Sequence, residues 1–356
     1  RLAQSGTAAV DSSQLGKILS KLGLRLPQRP GPNPLLVNLE KVKLDAGNRP
    51  FASIHVAVYN EKRVVERLIR SFTIQELYQV QRGSSAAYEL VIVDDSTDET
   101  TSIAKQALLG GGWKLNSPDV ILGIRRKPET PESDSGQARM TNDLEREIFV
   151  FSKPDGPKVT LIHRFSRSGF KGGALYQALE QTDARAAYIM VLDADFVPYP
   201  DMIEQFVKTF QVLAPIERSR VAVVQGYQWH VLNKSQTWVT RGVRTEYAGS
   251  YVIERSGAEI YGGLKQIAGA VYAIRADILR QFGWGTSITE DFELTLRLYE
   301  QGYKVAFTPY IQAPAEAVST IRRLVRQRMR WAEGASFNVK VMFSRMLKSP
   351  NLTPAE

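Results

Sequence analysis

Glu89-Leu90-Val91-Ile92-Val93-Asp94-Asp95-Ser96-Thr97-Asp98 is the stretch from which the fold of this chain is read. Residues 89–93 make a short strand run that stops at two carboxylates. Residues 97–108 follow with a helical pattern and with acids in the first turn, where the helix dipole favours them. The same arrangement recurs at 188–192, an apolar run ending in Asp193-Ala194-Asp195. Upstream, residues 53–58 form a third run, ending at Tyr59-Asn60-Glu61. Val64, Val65, Leu68, Ile69 and Phe72 then recur at helical spacing over 61–72. Strands that are apolar throughout are covered on both faces. Alternating with helices, they predict an α/β fold with a central, mostly parallel sheet and helices on both sides. In open α/β sheets ligands sit beyond the carboxyl ends of the strands. That rule brings Tyr59, Glu61, Asp94, Asp95, Asp193 and Asp195 to one rim.

Outward from this core the pattern is less regular. Residues 110–158 interrupt it: Gly110-Gly111-Gly112 opens the stretch, and 127–139 is polar and rich in Pro, Ser and Glu, as a loop excursion is. Regularity returns with a strand at 159–163, a helix after Gly172, a strand at 221–225, a long segment at 236–256 and a strand at 266–275. A helix at 290–301 and a basic helix at 317–347 complete the series. Near the start, Leu15, Ile18, Leu19 and Leu22 make a short amphipathic helix with Lys17 and Lys21 between them. It packs on the domain or lies on a membrane surface. Pro27, Pro30, Pro32 and Pro34 follow as an extended linker. The expected division is an arm over 1–50, a catalytic domain over 51–315, and a terminal helical region over 316–356.

Composition bounds the function. The 356 residues are 43% hydrophobic, ordinary for a globular core. With no cysteine, disulfides and thiolate metal sites are excluded. The net charge of +9 suits a phosphate-rich substrate, an anionic lipid surface or nucleic acid, or is a solvated basic surface. No signature of a DNA- or RNA-binding module accompanies it, so no nucleic-acid partner is expected. No apolar run approaches the ~20 residues of a membrane span. The start at Arg1-Leu2-Ala3-Gln4 and the polar end at Thr353-Pro354-Ala355-Glu356 read as a segment of a longer polypeptide.

Each chemical motif has a plain structural alternative. A strand-end Asp such as Asp95 or Asp98 can be a helix N-cap. Asp193-Ala194-Asp195 fits that less well, because carboxylates two residues apart repel unless a cation lies between them. Hard divalent cations take carboxylate oxygens. Thr289-Glu290-Asp291 can be a helix start with its capping Thr. Lys171, among Gly169, Gly172 and Gly173, can be solvated or can approach a phosphate. In 322–331, Arg323, Arg326 and Arg330 share roughly one helix face, and Trp331 is a core residue or a sugar platform.

Taken in order, Tyr-Asn-Glu, Val-Asp-Asp-Ser-Thr-Asp, Asp-Ala-Asp, Thr-Glu-Asp and Gln327-Arg328-Met329-Arg330-Trp331 resemble the family-2 glycosyltransferases. Within them the series is similar to the membrane-integrated processive branch of cellulose, glucomannan, chitin and hyaluronan synthases. His163-Arg164-Phe165-Ser166-Arg167-Ser168-Gly169-Phe170-Lys171-Gly172-Gly173-Ala174-Leu175 is similar to a conserved element of those enzymes, and Ala313-Pro314-Ala315-Glu316 to the segment before their Gln-x-x-Arg-Trp helix. The resemblance spans about 51–340, and its motifs are specific as a set.

The resemblance implies a GT-A fold with amphipathic interfacial helices and an inverting transfer of sugar from a nucleotide diphosphate, UDP-glucose favoured, to a growing β-glycan. It implies that Tyr59, Glu61, Asp94, Asp95, Lys171, Asp193, Gln327, Arg328 and Arg330 hold the donor. Asp195 would hold Mg2+ or Mn2+, and Asp291 would be the general base. Trp331, Trp229 and Glu290 would line the acceptor path, with Trp229 equally readable as a core aromatic beside a strand. Ile267-Ala268-Gly269-Ala270 lacks the Asn or Ser that relatives often carry there. The partners implied are a nucleotide sugar, a glycan or glycolipid acceptor, and a membrane with flanking spanning helices, the module lying on its cytoplasmic face. Two rivals remain: transfer of one sugar to a lipid-linked acceptor, and a nucleotide-sugar or lipid-binding module without catalysis.

Overall fold

The computed structural model describes residues 34–44, 49–74, 87–116, 119–121, 146–154, 156–213 and 220–356. In chain order the elements are β1 (Phe51–Val58), α1 (Val65–Phe72), β2 (Tyr88–Asp94), α2 (Thr100–Gly110), β3 (Lys114–Leu115), β4 (Asp119–Ile121), β5 (Arg146–Ser152) and β6 (Lys158–Arg164). Then come α3 (Phe170–Glu180), β7 (Ala186–Asp193), α4 (Met202–Leu213), β8 (Val221–His230) and α5 (Trp238–Ala248). A π-helical turn, Gly249–Arg255, joins α5 to α6 (Ser256–Tyr261). The remainder is β9 (Tyr272–Arg275), α7 (Ala276–Phe282), α8 (Glu290–Glu300), β10 (Lys304–Ala315) and α9 (Ile321–Lys348).

One sheet runs in the order β10-β8-β9-β7-β1-β2-β6-β5-β3, with β4 paired to β5. Neighbours β7, β1, β2 and β6 are parallel, as are β8 and β10. Successive residues of the central strands serve opposite layers. Leu90, Ile92, Met190 and Leu192 pack with Val65, Leu68 and Phe72 of α1 and Ile203 and Phe206 of α4. Val91 and Val93 meet Ala174 and Ala178 of α3, and Ile189 and Val191 meet Leu279 of α7 and Leu294 of α8. Both faces are therefore apolar, which is why these strands read as continuous rather than alternating.

The structure corrects the sequence reading at several places. The antiparallel strand β5 lies inside the stretch read as an excursion; it pairs with β6 from Arg146 opposite Arg164 to Phe151 opposite Val159. Strand β9 occupies only the end of 266–275 and runs antiparallel to both neighbours, so the sheet is mixed. Residues 267–271 are held out of the ladder by two glutamines. Gln225 Nε2 donates to the Ala270 and Val271 carbonyls at 2.9 and 3.1 Å, and Gln228 Nε2 donates to Ala270 O at 3.0 Å. Helix α2 begins at Thr100, so its first turn carries no acid. Asp98 lies before it and accepts from the Thr100 N–H at 3.0 Å.

Neither end is a detached arm where it is described. Leu39 and Leu44 pack against the main core, Leu35 joins the Tyr227, Tyr251 and Phe307 cluster, and Tyr310 Oη donates to Leu35 O at 2.8 Å. Helix α9 packs along α8. The helix expected around Leu15, Ile18, Leu19 and Leu22, the prolines up to Pro32, and the 127–139 loop lie outside the described residues.

Candidate active site

Sheet register decides what meets at the rim. Val58 is level with Asp94, Asp94 with His163, and Ala57 with Asp193. His230 is level with Ala315 on the parallel pair β8 and β10. The carboxyl ends of these strands thus present Tyr59-Asn60-Glu61, Asp94-Asp95, His163-Arg164, Asp193-Ala194-Asp195, His230 and Glu316 on one side, as the sequence anticipated for the acidic motifs.

The centre of this rim is an excess of carboxylate. Asp195 is pushed up to about 7, by burial first and then by the negative charges of Asp193, Glu61 and Glu316. Glu61 is likewise pushed up to about 7, by burial and then by Asp193 and Glu316. Arg67 relieves the edge of the cluster, donating to Glu316 Oε1 at 2.8 Å and to the Asp195 carbonyl at 3.4 Å. Among the described residues no group of three or more His, Cys, Asp or Glu forms a metal cage by itself.

Lys171 joins this cluster to the Thr289-Glu290-Asp291 motif. Its ammonium donates to Asp193 Oδ1 at 2.5 Å and to the Gly269 carbonyl at 2.7 Å, and lies 3.9 Å from Glu290 Oε1. Burial works against its charge, but Asp193 and Glu290 outweigh it and hold the ammonium well above the usual lysine range. The sequence expected Lys171 to reach phosphate; the structure shows it bridging two carboxylates.

Gly269 explains why this fits. Its φ is +75°, and a methyl group there would stand 3.2 Å from Asp291 Oδ2 and 3.8 Å from Lys171 Nζ. Only glycine supplies both the backbone and the space. Val271 nearby has φ 57°, a strained value for a β-branched residue. The neighbouring Gly172 is a packing residue: a Cβ there would fall 2.6 Å from the Gly285 carbonyl.

Glu290 and Asp291 open α8. Asp291 Oδ1 accepts the Phe292 N–H at 2.8 Å, leaving Oδ2 toward Gly269 and Lys171. Burial raises both carboxyls above their ordinary range, with Lys171 opposing. Thr289 is at the N-cap position but its side chain caps nothing in its own helix, so the capping alternative is not what the structure shows.

Asp94 and Asp95 are at the rim but are engaged by the protein. Asp95 meets Arg164 through both oxygens, at 2.6 and 2.5 Å, and burial still raises its carboxyl. Asp94 accepts from Thr101 Oγ1 at 2.5 Å and from Ser96 N at 2.9 Å. Burial pushes its carboxyl up, but hydrogen bonds from His163, Ser96 and Thr101 win and hold it low. Carboxylates bonded in this way keep lone pairs for a ligand. Tyr59 is exposed, with the Arg167 guanidinium 3.6 Å over its ring.

The far wall is aromatic. Arg328 bonds Glu246 Oε2 at 2.6 Å and lies 4.4 Å from the Trp331 ring and 5.9 Å from that of Tyr247. Tyr247 meets His230 with ring centroids 3.9 Å apart and planes tilted by 48°, and His230 meets Phe196 edge-on at 6.1 Å. Burial pulls His230 down to about 4, so it is neutral. This ladder joins the Gln-x-x-Arg-Trp helix to the residue after Asp195. Gln327 is half-buried on α9. Arg330 is exposed and makes no ion pair among the described residues. Trp229 packs beside Tyr227, Tyr251 and Phe307, its core alternative.

Four contributors escape the sequence reading. Glu316 was visible only as part of a resembling segment. His230 and Tyr247 carry no motif. The Gly269 carbonyl is a backbone group, legible only through its glycine.

Comparison with known proteins follows the same lines. Residues 188–352 match the glycosyl transferase family group 2 model. Glucomannan 4-beta-mannosyltransferase 7 of Arabidopsis thaliana is 25% identical over 274 residues, 76% of this chain and 47% of its own length. A beta-monoglucosyldiacylglycerol synthase of Nostoc sp. is 28% identical over 291 residues, 81% of this chain and 49% of its own. The chain thus spans about half the length of these curated relatives. A mannosyltransferase of Pyrobaculum calidifontis, solved with GDP-Man and Mn2+, superposes with a TM-score of 0.54 at 19% identity over 85% of this chain and 67% of that one. The likeness bears out the GT-A type of fold.

Proposed function

We propose that the chain is a family-2 glycosyltransferase, the family whose model matches residues 188–352, and that it transfers a sugar from a nucleotide diphosphate to a carbohydrate hydroxyl with inversion, extending a β-glycan at a membrane. The observation that carries this reading is the junction at Lys171. One ammonium ties Asp193, on the donor side, to Glu290 beside Asp291, on the acceptor side. Asp291 Oδ2 accepts the proton of the attacking hydroxyl as its oxygen bonds to the anomeric carbon and the diphosphate leaves with the bonding pair. A carboxylate raised by burial above its ordinary range suits that task. Trp331 presents an aromatic face to the acceptor sugar. Lys171 and Arg328 supply positive charge toward the leaving diphosphate.

The rim also fits a divalent cation. Asp195 and Glu61 carry raised carboxyls because they are buried and because Asp193 and Glu316 crowd them, while Arg67 engages only the edge. Mg2+ is commonly held by one or two carboxylates plus substrate phosphates, so the lack of a complete protein cage is the expected form. Asp195 and Asp193 would hold it; when bound, Mg2+ or Mn2+ would neutralise the diphosphate. UDP-glucose is the favoured donor. The mannosyl transfer named for the Arabidopsis relative makes GDP-mannose the first competitor, and the lipid synthase makes a glycolipid the competing acceptor.

A membrane role rests on α9. Ile321, Val325, Met329, Val339, Phe343 and Leu347 are all exposed and form one stripe along this 28-residue helix, flanked by Arg322, Arg326 and Lys340. No described helix is long and apolar enough to cross a membrane. We place the stripe against the cytoplasmic leaflet. The protein should co-sediment with vesicles containing anionic phospholipid, and Met329→Glu with Leu347→Glu should cut the bound fraction several-fold. Undiminished binding by the double variant would remove this surface from consideration.

A donor screen on the full-length protein tests the activity. UDP- and GDP-sugars are supplied with cation, and released nucleotide and product length are read. Long β-linked product supports the main reading, and a single added sugar on lipid supports the competing acceptor. Tight binding of nucleotide sugar without nucleotide release in any mixture overturns the transferase reading.

A further inference from the structure

Asp291 can act as a base only if something fixes it relative to the acceptor; the Phe292 N–H holds its side chain within α8, which leaves the start of the helix itself to be placed. The Thr289 side chain makes no cap on α8. It is held from outside, by α9. Asn338 Nδ2 donates to Thr289 Oγ1 at 2.9 Å and to Thr289 O at 3.2 Å, while Asn338 Oδ1 accepts from Ser287 Oγ at 2.9 Å. One turn earlier stands Gly334, where a Cβ would fall 2.6 Å from both Cγ2 and Oγ1 of Thr289. Asn338 is 1% exposed, a polar side chain buried inside a basic helix with its amide fully engaged. Gln327, Trp331, Gly334 and Asn338 recur at spacings of four, three and four, so they share one face of α9.

We propose that Asn338 is a positioning residue for transfer. With Gly334 as the seat for Thr289, it clamps the start of α8, and hence Asp291, to the same rigid helix that carries Trp331. The acceptor platform and the base are then two fixtures on one rod, 28 residues long and continuous. This rests on the transferase reading of Asp291 and adds to it the device that sets base against acceptor. A buried amide left half-satisfied costs more than it contributes, so the three-way bond among Asn338, Thr289 and Ser287 defines one position of the motif. Misplacing a reacting group by about 1 Å costs on the order of a hundredfold in rate.

The test measures kcat, donor KM and UDP affinity for Asn338→Ala, Thr289→Val, the double variant and Thr289→Ser. Asn338→Ala and Thr289→Val should each lower kcat by about tenfold to a hundredfold. Donor KM and UDP affinity should stay within about twofold. The double variant should be no worse than Asn338→Ala, since the bond that Thr289→Val removes is one of the three that Asn338→Ala removes, and Thr289→Ser, which keeps the hydroxyl, should retain most activity. Additive losses, or a loss of donor affinity in step with kcat, would mean a merely structural role and overturn the proposal. Thr289→Val is near in shape to the native residue and serves if Asn338→Ala does not fold. Should the unmodified protein transfer no sugar, the transferase reading fails by itself. The clamp is then judged by amide hydrogen exchange at residues 290–293, where faster exchange in Asn338→Ala supports it and unchanged exchange refutes it.

Discussion

Asp291→Asn is expected to lower the rate of sugar transfer by about a hundredfold or more while leaving donor affinity within a few-fold. The asparagine keeps the size and the oxygen that accepts the Phe292 N–H, so the start of α8 keeps its geometry. What is lost is a group that can take a proton. Lys171 keeps its bonds to Asp193 and to the Gly269 carbonyl, so the donor side is undisturbed. The fold should not suffer. Burial raises the Asp291 carboxyl, so its ionised form is disfavoured in the native state, and a neutral amide removes that penalty. The melting temperature at pH 8 should therefore be equal to or above that of the unmodified protein. A variant that melts normally, binds UDP and transfers sugar at near-normal rate would show that Asp291 is not the base.

The sequence carried the sheet because the physics there is local. Apolar runs at 89–93 and 188–192 fill both layers, and each stops at the rim of the sheet, so Asp94 and Asp193 mark strand ends directly. Signals that depend on distant partners did not show. Strand β5 follows the polar excursion and carries only four apolar residues, Ile148 to Phe151, after two charged ones, so its own sequence does not say that it pairs with β6. Residues 267–271 are apolar enough for a strand, yet Gln225 and Gln228, some forty residues earlier, pull their carbonyls into a turn. Asn338 in a helix reads as an unremarkable polar residue; its meaning lies in Thr289, 49 positions away. Lys171 was recognised as a charge near the donor, but its present partners, Asp193 and Glu290, come from separate strand and helix ends that only the fold brings together.

Asp195→Ala is expected to abolish the dependence of UDP binding on Mg2+ or Mn2+. In the unmodified protein the cation should tighten UDP by at least about tenfold, and UDP should tighten the cation by the same factor, since such coupling is reciprocal. The pH dependence has a definite sign. The Asp195 and Glu61 carboxyls are pushed up to about 7 in the folded protein, against about 4 in an unfolded chain. The folded state therefore holds these protons more tightly. The stability they contribute is fully present below about pH 4 and is lost as the pH rises through 7. In chelator, this part of the stability should decline from pH 5 to pH 8. Added cation with UDP replaces the lost protons, so its stabilising shift in melting temperature should be larger at pH 8 than at pH 5. Arg323 faces Glu61 and opposes the rise of its carboxyl without reversing it, so the sign stands. In Asp195→Ala one of the two raised carboxyls is gone and Glu61 loses a like-charged neighbour, so the slope with pH and the cation effect should both shrink. Calorimetry of UDP with and without cation, at both pH values, reads all of this. Equal affinity in the two conditions for the unmodified protein would mean that the carboxylate cluster answers to Lys171 and Arg67 alone and holds no metal.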